Sequence, residues 1–205
     1  MLKLLKLDKS KEPSTDINGS RQGWQGLRAA LRADLKRLHA TSPQPIKFTR
    51  LRKLSLCFRP EIFTLILYRL AHGFYQRHQL GLAQFFYRLN LFITGADIHP
   101  RSQIGDGCLI VHTVGLVIDG NLGSGTTIFG HCIIQADYQQ GRWTETPSIG
   151  DRCVMGAQCS VLGAVKVAND VTLAPFTLLT ESVEQSGVTI SAEHLQKIKI
   201  YPRKR

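Results

Sequence analysis

Long hydrophobic runs are absent from this sequence, and so are the cysteine pairs of zinc and redox sites. The longest largely apolar stretch, Ile62 to Tyr68, ends after seven residues at Arg69, whereas a membrane-spanning helix needs about 20. Residues 1–7 alternate Lys and Leu without the apolar core or cleavage site of a secretory signal. Five cysteines are present but no C-x-x-C pair, so neither a zinc knuckle nor a redox motif is supported. These absences predict a folded cytoplasmic protein.

Acidic residues are scarce in the first half of the chain. Residues 1–96 contain 17 Lys and Arg against 5 Asp and Glu, whereas residues 97–205 contain 9 against 10. The basic half predicts either contact with an anionic surface or simply solvated helix faces. Because no nucleic-acid recognition motif accompanies the charge, we expect no nucleic-acid partner, and we keep peripheral contact with the anionic inner membrane as a possibility.

Through the second half of the chain an aliphatic residue recurs every six positions, except at one interruption, where the spacing is fifteen residues. The first run is Ile98, Ile104, Ile110, Leu116, Leu122, Ile128 and Ile134, and the second is Ile149, Met155, Val161, Val167, Leu173 and Leu179. A period of six fits neither an amphipathic helix nor an alternating strand, but it is typical of a parallel β-helix. The interruption predicts a loop that leaves the coil, and such loops often build a binding face.

Small residues recur four positions after the repeat aliphatics, and we predict that they point inward. Free cysteine packs as a small hydrophobe, so the cysteines at this position are interpreted as core filler. The set is Ser102, Cys108, Val114, Gly120, Thr126, Cys132, Cys153, Cys159, Val165, Val171 and Thr177.

Composition and periodicity divide the chain into four segments. Residues 1–20 are predicted to be a flexible arm, 21–96 an α-helical segment, 97–184 the β-helix with an inserted loop at 135–148, and 185–205 a basic tail. The predicted helices occupy residues 22–40, a stretch that begins near Pro60 and Glu61, and a third stretch after Gly81, which we expect to break the second. Residues 193–200 fit a short helix or a closing strand.

The start of the repeat contains a specific combination of motifs. Residues 95–100 read G-A-D-I-H-P, residues 104–107 read I-G-D-G and residues 112–115 read H-T-V-G. Together with the Y-R-L-A-H run at 68–72, this text resembles the serine acetyltransferase family of hexapeptide-repeat acyltransferases. A histidine on a repeat face would otherwise be interpreted as a surface or packing residue.

The resemblance implies a left-handed prism that forms a homotrimer and binds acetyl-CoA between neighbouring subunits. It also implies that His112 is the general base and that Asp97 orients it. A base is needed because an alcohol attacks a thioester only if its proton is accepted as the bond forms, and imidazole titrates in the right range. Four residues match positions that line the family's cofactor groove: Gly156, Ala157, Ala174 and Pro175.

Departures from the family led us to expect a different acceptor. Val111 stands where the family has Asp, and residues 145–147 read E-T-P in place of the R-H-P that holds an amino acid. Because Glu145 would repel the acceptor's carboxylate, we predict transfer to a sugar hydroxyl in surface polysaccharide biosynthesis, as in the colanic acid type of O-acetyltransferase that this chain also resembles. The residues predicted to bind this sugar are Tyr138, Arg142, Trp143 and Glu145.

Two alternatives remain open at this point. The chain could be a serine acetyltransferase of cysteine biosynthesis, or a catalytically silent β-helix that serves as a scaffold. The family's C-terminal G-x-P-A-[KR] turn is missing, which leaves part of the CoA site unassigned. Zinc chemistry of the β-helical carbonic anhydrase kind needs a close histidine pair, which His99, His112 and His131 do not offer, so no metal is expected.

Overall fold

A computed structural model describes residues 24–41, 59–139 and 141–191. Within these residues three helices lead into the repeat: α1 (Trp24–Thr41), α2 (Pro60–Gln76) and α3 (Leu80–Thr94). The predicted arm at 1–20 and the predicted element at 193–200 lie outside the described residues. None of the described helices is long and apolar enough to cross a membrane.

The break between the second and third helices lies before Gly81, so the prediction that Gly81 breaks the helix is wrong. Helix α2 ends at Gln76, His78 adopts a positive φ of 57°, and α3 starts at Leu80. Gly81 sits in the first turn of α3, where an added Cβ would meet nothing within 4 Å. Helix α3 ends at Gly95, whose φ of 71° is the left-handed conformation that favours glycine at a helix end.

The repeat folds into a parallel β-helix with three faces, and the predicted left-handed β-helix after a helical segment is confirmed. The first sheet contains β1 (Asp97–Ile98), β3 (Val117–Ile118), β6 (Ile133–Gln135), β11 (Ser160–Leu162) and β14 (Leu178–Leu179). The second contains β4 (Asn121–Leu122), β9 (Ser148–Ile149) and β12 (Lys166–Val167). The third contains β2 (Leu109–Ile110), β5 (Thr127–Ile128), β10 (Val154–Met155), β13 (Thr172–Leu173) and β15 (Thr189–Ile190).

The interior of the prism is built from the repeat aliphatics and the small residues between them. Each aliphatic stacks on its counterpart in the next coil, and each such buried side chain contributes roughly 1.5–3 kcal/mol to folding. The four cysteines predicted as filler are all buried, as expected: Cys108, Cys132, Cys153 and Cys159. Val114 is the exception, because 63% of its surface is exposed.

Val114 is exposed because the six-residue phase slips at this corner. Asp97 pairs with Val117, a coil of 20 residues, whereas Leu109 pairs with Thr127, a coil of 18. Ile118 therefore takes the strand position that the sequence predicted for Leu116, and Leu116 fills the small-residue position with no exposed surface. The corner that contains His112 is thus two residues longer than a regular one.

The interruption of the repeat forms a small hairpin that leaves the prism between the first and second sheets. Its strands are β7 (Tyr138–Gln139) and β8 (Arg142–Trp143), which pair antiparallel. At the other end, the coil continues past residue 184, the predicted end of the β-helix, because Thr189 pairs with Thr172. The β-helix therefore extends beyond Leu179, the last aliphatic residue of the six-residue series.

The Y-R-L-A-H run on α2 fastens the helices to the first coil. The Tyr68 hydroxyl donates to the Ser102 carbonyl at 2.6 Å and accepts from the Ile104 amide at 3.1 Å. Arg69 donates to the carbonyls of Ile104 and, at 2.7 Å, Gly105. His72 Nδ1 lies 2.8 Å from the Pro100 carbonyl oxygen. Side chains of α2 thus form hydrogen bonds with backbone groups of the first coil, which has no preceding coil to bond them.

Helix α1 is joined to this point by a buried ion pair. Asp34 is 1% exposed and lies 3.3 Å from the Arg69 guanidinium, and it also accepts from the Cys108 amide at 3.1 Å. Burial raises the pKa of Asp34 to about 6, although Arg69 and the Cys108 amide act in the opposite direction. The pair therefore links α1, α2 and the first coil through one desolvated contact.

Candidate active site

One edge of the prism, between the third and first sheets, contains the candidate catalytic histidine. We call it the His112 edge; it comprises residues 111–116, 129–132, 156–159 and 174–177. Backbone hydrogen bonds join successive corners of this edge. The first runs from the Gly115 amide to the Gly95 carbonyl at 3.2 Å, and the last runs from the Phe176 amide to the Ala157 carbonyl at 3.0 Å. Each corner turns through a left-handed residue: Gly95, Gly115, His131, Gln158 and Phe176.

His112 lies on the outside of the lengthened corner with an exposed side chain. No described residue forms a hydrogen bond with its imidazole, so both ring nitrogens remain available to a substrate and an orienting group. Gly130 lies directly against it in the next coil, and a Cβ at residue 130 would stand 2.9 Å from the His112 Cβ. The histidine thus fits the edge only because residue 130 has no side chain.

Replacing Gly130 by alanine is expected to displace His112 and lower kcat by about 10- to 100-fold, since a misplacement near 1 Å has an effect of that size. Steady-state kinetics of acetyl transfer measure it. Gly81→Ala is the matched control, because the same added methyl group meets nothing within 4 Å. Equal kcat values for the two variants would show that the close approach at Gly130 has no role in placing His112.

The four predicted cofactor residues lie on the same edge as His112. Gly156 and Ala157 form the corner of one following coil, and Ala174 and Pro175 form the corner of the next. A Cβ at residue 156 would come within 2.6 Å of the Leu173 carbonyl oxygen, so the two coils stack this closely because residue 156 is glycine. The structure therefore brings the predicted base and the predicted cofactor residues onto one continuous edge.

Asp97 is held by a residue that the sequence did not single out. It opens β1 and accepts a 2.7 Å hydrogen bond from the Tyr87 hydroxyl of α3. Burial, together with the bond to Asp97, raises the pKa of Tyr87, so the phenol stays protonated and donates. No hydrogen bond joins Asp97 to His112 in the part of the chain that the structure describes. The orienting role of Asp97 stays a prediction.

The predicted acceptor residues lie at a different edge. Tyr138, Arg142, Trp143 and Glu145 belong to the hairpin between the first and second sheets, and all four are exposed. The Tyr138 and Trp143 rings contact each other at a tilt of 59°, with centroids 5.1 Å apart. Within one chain the first sheet separates this hairpin from His112, so a single chain does not bring base and acceptor residues together.

Three residues of the site were missed from the sequence: Thr113, Gly130 and Tyr87. Gly130 carried only a weak signal: it stands two positions after the repeat aliphatic Ile128, a spacing that Gly163 shares, whereas four other glycines follow the aliphatic directly. The Tyr87 hydroxyl donates to Asp97 and the Thr113 hydroxyl to the Thr94 carbonyl, and no local pattern marks either residue. Over residues 24–41, 59–139 and 141–191, the structure contains no group of three residues able to hold a metal ion.

The chain is similar to several serine acetyltransferases in sequence and in fold. The serine acetyltransferase of Helicobacter pylori is 32% identical over 140 residues, covering 67% of this chain and 81% of that protein. Among solved structures, soybean serine acetyltransferase complexed with serine superimposes with a TM-score of 0.71 at 24% identity, covering 81% of this chain and 67% of that one. Isoform 3 from Entamoeba histolytica gives 0.71 at 22% identity, and this chain spans 61% of its length. No protein-family model matches.

The fold and these relatives define a β-helical O-acyltransferase with acetyl-CoA as donor, as the sequence predicted. Within that class, the chain belongs to the serine acetyltransferase family.

This membership corrects the predicted acceptor. The sugar acceptor and the role in polysaccharide biosynthesis are wrong, because the relatives reported above are serine acetyltransferases. The error came from weighing only the acceptor's carboxylate against Glu145. An amino acid also carries an ammonium group, which an acidic side chain attracts.

Proposed function

We propose that this protein is a serine O-acetyltransferase that moves the acetyl group of acetyl-CoA onto the hydroxyl of L-serine. The observation that carries the proposal is the placement of His112 on the same edge as the predicted cofactor residues, in a chain that belongs to this family. The soybean relative, with which the chain shares its fold, was solved with serine bound.

In this reaction His112 accepts the serine hydroxyl proton as the oxygen attacks the thioester carbon. The carbon–sulfur bond then breaks, and the proton is returned to the leaving thiolate, so that O-acetylserine and free CoA are formed. An imidazole suits both steps because its unperturbed pKa lies close to neutrality. Asp97 is proposed to stabilise the imidazolium, with Tyr87 fixing the carboxylate.

The hairpin is proposed to supply the acceptor's charged partners. Arg142 and Glu145 are both exposed and lie three residues apart, so the hairpin offers one cation and one anion. A zwitterion needs both: the guanidinium pairs with its carboxylate and the Glu145 carboxylate with its ammonium group. Tyr138 and Trp143 would close over the small substrate.

A homotrimer is proposed to join the two edges. Because the hairpin and His112 lie on opposite sides of the first sheet, the hairpin of one subunit would reach the His112 edge of its neighbour. Apolar side chains support this packing, since Val114, Phe176 and Leu178 are 63%, 67% and 48% exposed. The predicted contact with an anionic membrane is not indicated by any relative and stays a prediction.

An acceptor panel tests the proposed activity. We expect rapid release of free thiol from acetyl-CoA with L-serine and only background release with L-threonine, N-acetylglucosamine or no acceptor. Arg142→Gln is expected to raise the KM for serine at least about 10-fold, because one hydrogen bond to a charged group contributes roughly 1.5–3 kcal/mol. Thiol release that does not depend on serine would refute the assignment, and an unchanged KM would remove Arg142 from the acceptor site.

A further inference from the structure

Four buried polar side chains connect the helical segment to the corner that contains His112. They lie on α2, on α3 and in the corner itself, and their exposed fractions are 5% or less: Thr64, Asn90, Thr94 and Thr113. The Asn90 carboxamide oxygen accepts from Thr64 at 2.8 Å and from Thr94 at 2.9 Å, and its amino group donates to the Thr64 carbonyl at 3.2 Å. Every polar atom of the Asn90 side chain is therefore used.

The network reaches the corner through the last carbonyls of α3. The Thr113 hydroxyl donates to the Thr94 carbonyl at 2.7 Å, and the Gly115 amide donates to the Gly95 carbonyl at 3.2 Å. The final carbonyls of a helix have no partner within the helix. The corner supplies those partners, and α3 in turn gives the corner two fixed points on either side of Val114.

We propose that Thr113 is a positioning residue, and that the Thr64–Asn90–Thr94–Thr113 network sets the place of His112. The corner is two residues longer than a regular one, because Asp97 pairs with Val117 over 20 residues. The next coil still bonds to this corner from the His131 amide to the Val114 carbonyl, and α3 supplies a second anchor on the other side. Thr113 directly follows His112 in the chain, so a shift at one moves the other. This inference rests on the proposed function for its catalytic consequence only.

Burial makes the network specific as well as costly. A buried hydroxyl without a partner costs about 1–3 kcal/mol, so an apolar core would tolerate these four residues only when every group is bonded. Every one of these groups has a partner when α3 lies against the corner as observed, so the network stabilises that arrangement. Thr126 offers a matched comparison at the edge between the second and third sheets, where its hydroxyl donates to the Gly150 carbonyl at 3.3 Å.

The test compares Thr113→Val with Thr126→Val, which make the same substitution at two fully or nearly buried positions. For Thr113→Val we expect kcat per folded trimer to fall about 10- to 100-fold with the KM for acetyl-CoA little changed. Hydrogen–deuterium exchange should become faster over residues 111–118. Thr126→Val should retain kcat and exchange normally over 111–118, and Thr113→Ser, which keeps the hydroxyl, should retain activity. If Thr113→Val does not fold, Thr113→Ala provides the same comparison.

Each outcome decides the proposal. Equal kcat values and equal exchange for the Thr113 and Thr126 valine variants would overturn it. Loss of kcat in both variants in proportion to lost thermal stability would indicate a structural role alone and would also overturn it. If the unmodified protein does not acetylate serine, the proposed function fails, and the exchange experiment then decides whether Thr113 anchors the corner.

Discussion

Replacement of His112 by alanine is expected to lower kcat for acetyl transfer to serine by about 100- to 10,000-fold, the usual contribution of a general base. The KM for acetyl-CoA should change little, because the predicted cofactor residues lie on the following coils of the edge and keep their backbone positions. The side chain is exposed, so the variant should fold normally. Steady-state thiol release and circular dichroism measure the two expectations.

His78→Ala is the matched control for this experiment. His78 is also an exposed histidine, but it lies in the turn between α2 and α3. Its replacement should leave kcat unchanged. A His112→Ala enzyme with at least a tenth of normal kcat would exclude His112 as the base and would leave the placement of the His112 edge without a catalytic explanation.

Replacement of Arg69 by methionine is expected to lower the free energy of unfolding by about 3–5 kcal/mol at neutral pH, the cost of breaking a buried ion pair by removing one partner. Methionine keeps the length and helix propensity of the side chain, but it leaves Asp34 without its cation and the Ile104 and Gly105 carbonyls without their donor. Chemical denaturation measures the loss. Arg152→Met, which removes an exposed partner of Asp170, should cost far less.

The pH dependence of this loss follows from the raised pKa of Asp34. Its folded pKa of about 6 exceeds the ordinary carboxyl pKa of 3.8, so its contribution to stability is fully present below the unfolded pKa and is lost as the pH rises through the folded pKa. Without Arg69 the folded pKa should rise further. The difference between unmodified protein and Arg69→Met is therefore expected to be small near pH 4 and larger near pH 7. A pH-independent difference would contradict a charged pair.

Periodicity predicted the architecture because each coil repeats the same local requirement. An aliphatic residue must point inward on every face, so the pattern of the core is written along the chain at one spacing. The slip at Leu116 escaped notice because Leu116 and Ile118 are both aliphatic and both buried. Spacing alone cannot decide which of two such neighbours takes the strand position when the intervening corner is longer.

The site was only partly predictable, for a different reason. Motif resemblance identified His112 and Asp97 as candidates, but their environment depends on contacts across the fold. Tyr87 meets Asp97 only because α3 packs against β1, and Gly130 meets His112 only because two coils stack. The acceptor was predicted wrongly because missing residues of a motif were treated as evidence for another substrate, while the charges present in the hairpin were weighed one at a time.

The most direct test of the account follows the acetyl group itself. The protein is incubated with acetyl-CoA labelled in the acetyl carbonyl and with L-serine, and the products are separated and identified by mass spectrometry. The account predicts label on the serine oxygen with one free CoA released per acetyl group, reduced at least about 100-fold by His112→Ala and unaffected by His78→Ala. Label that remains on CoA in the presence of serine, or that reaches serine equally with His112→Ala, would contradict it.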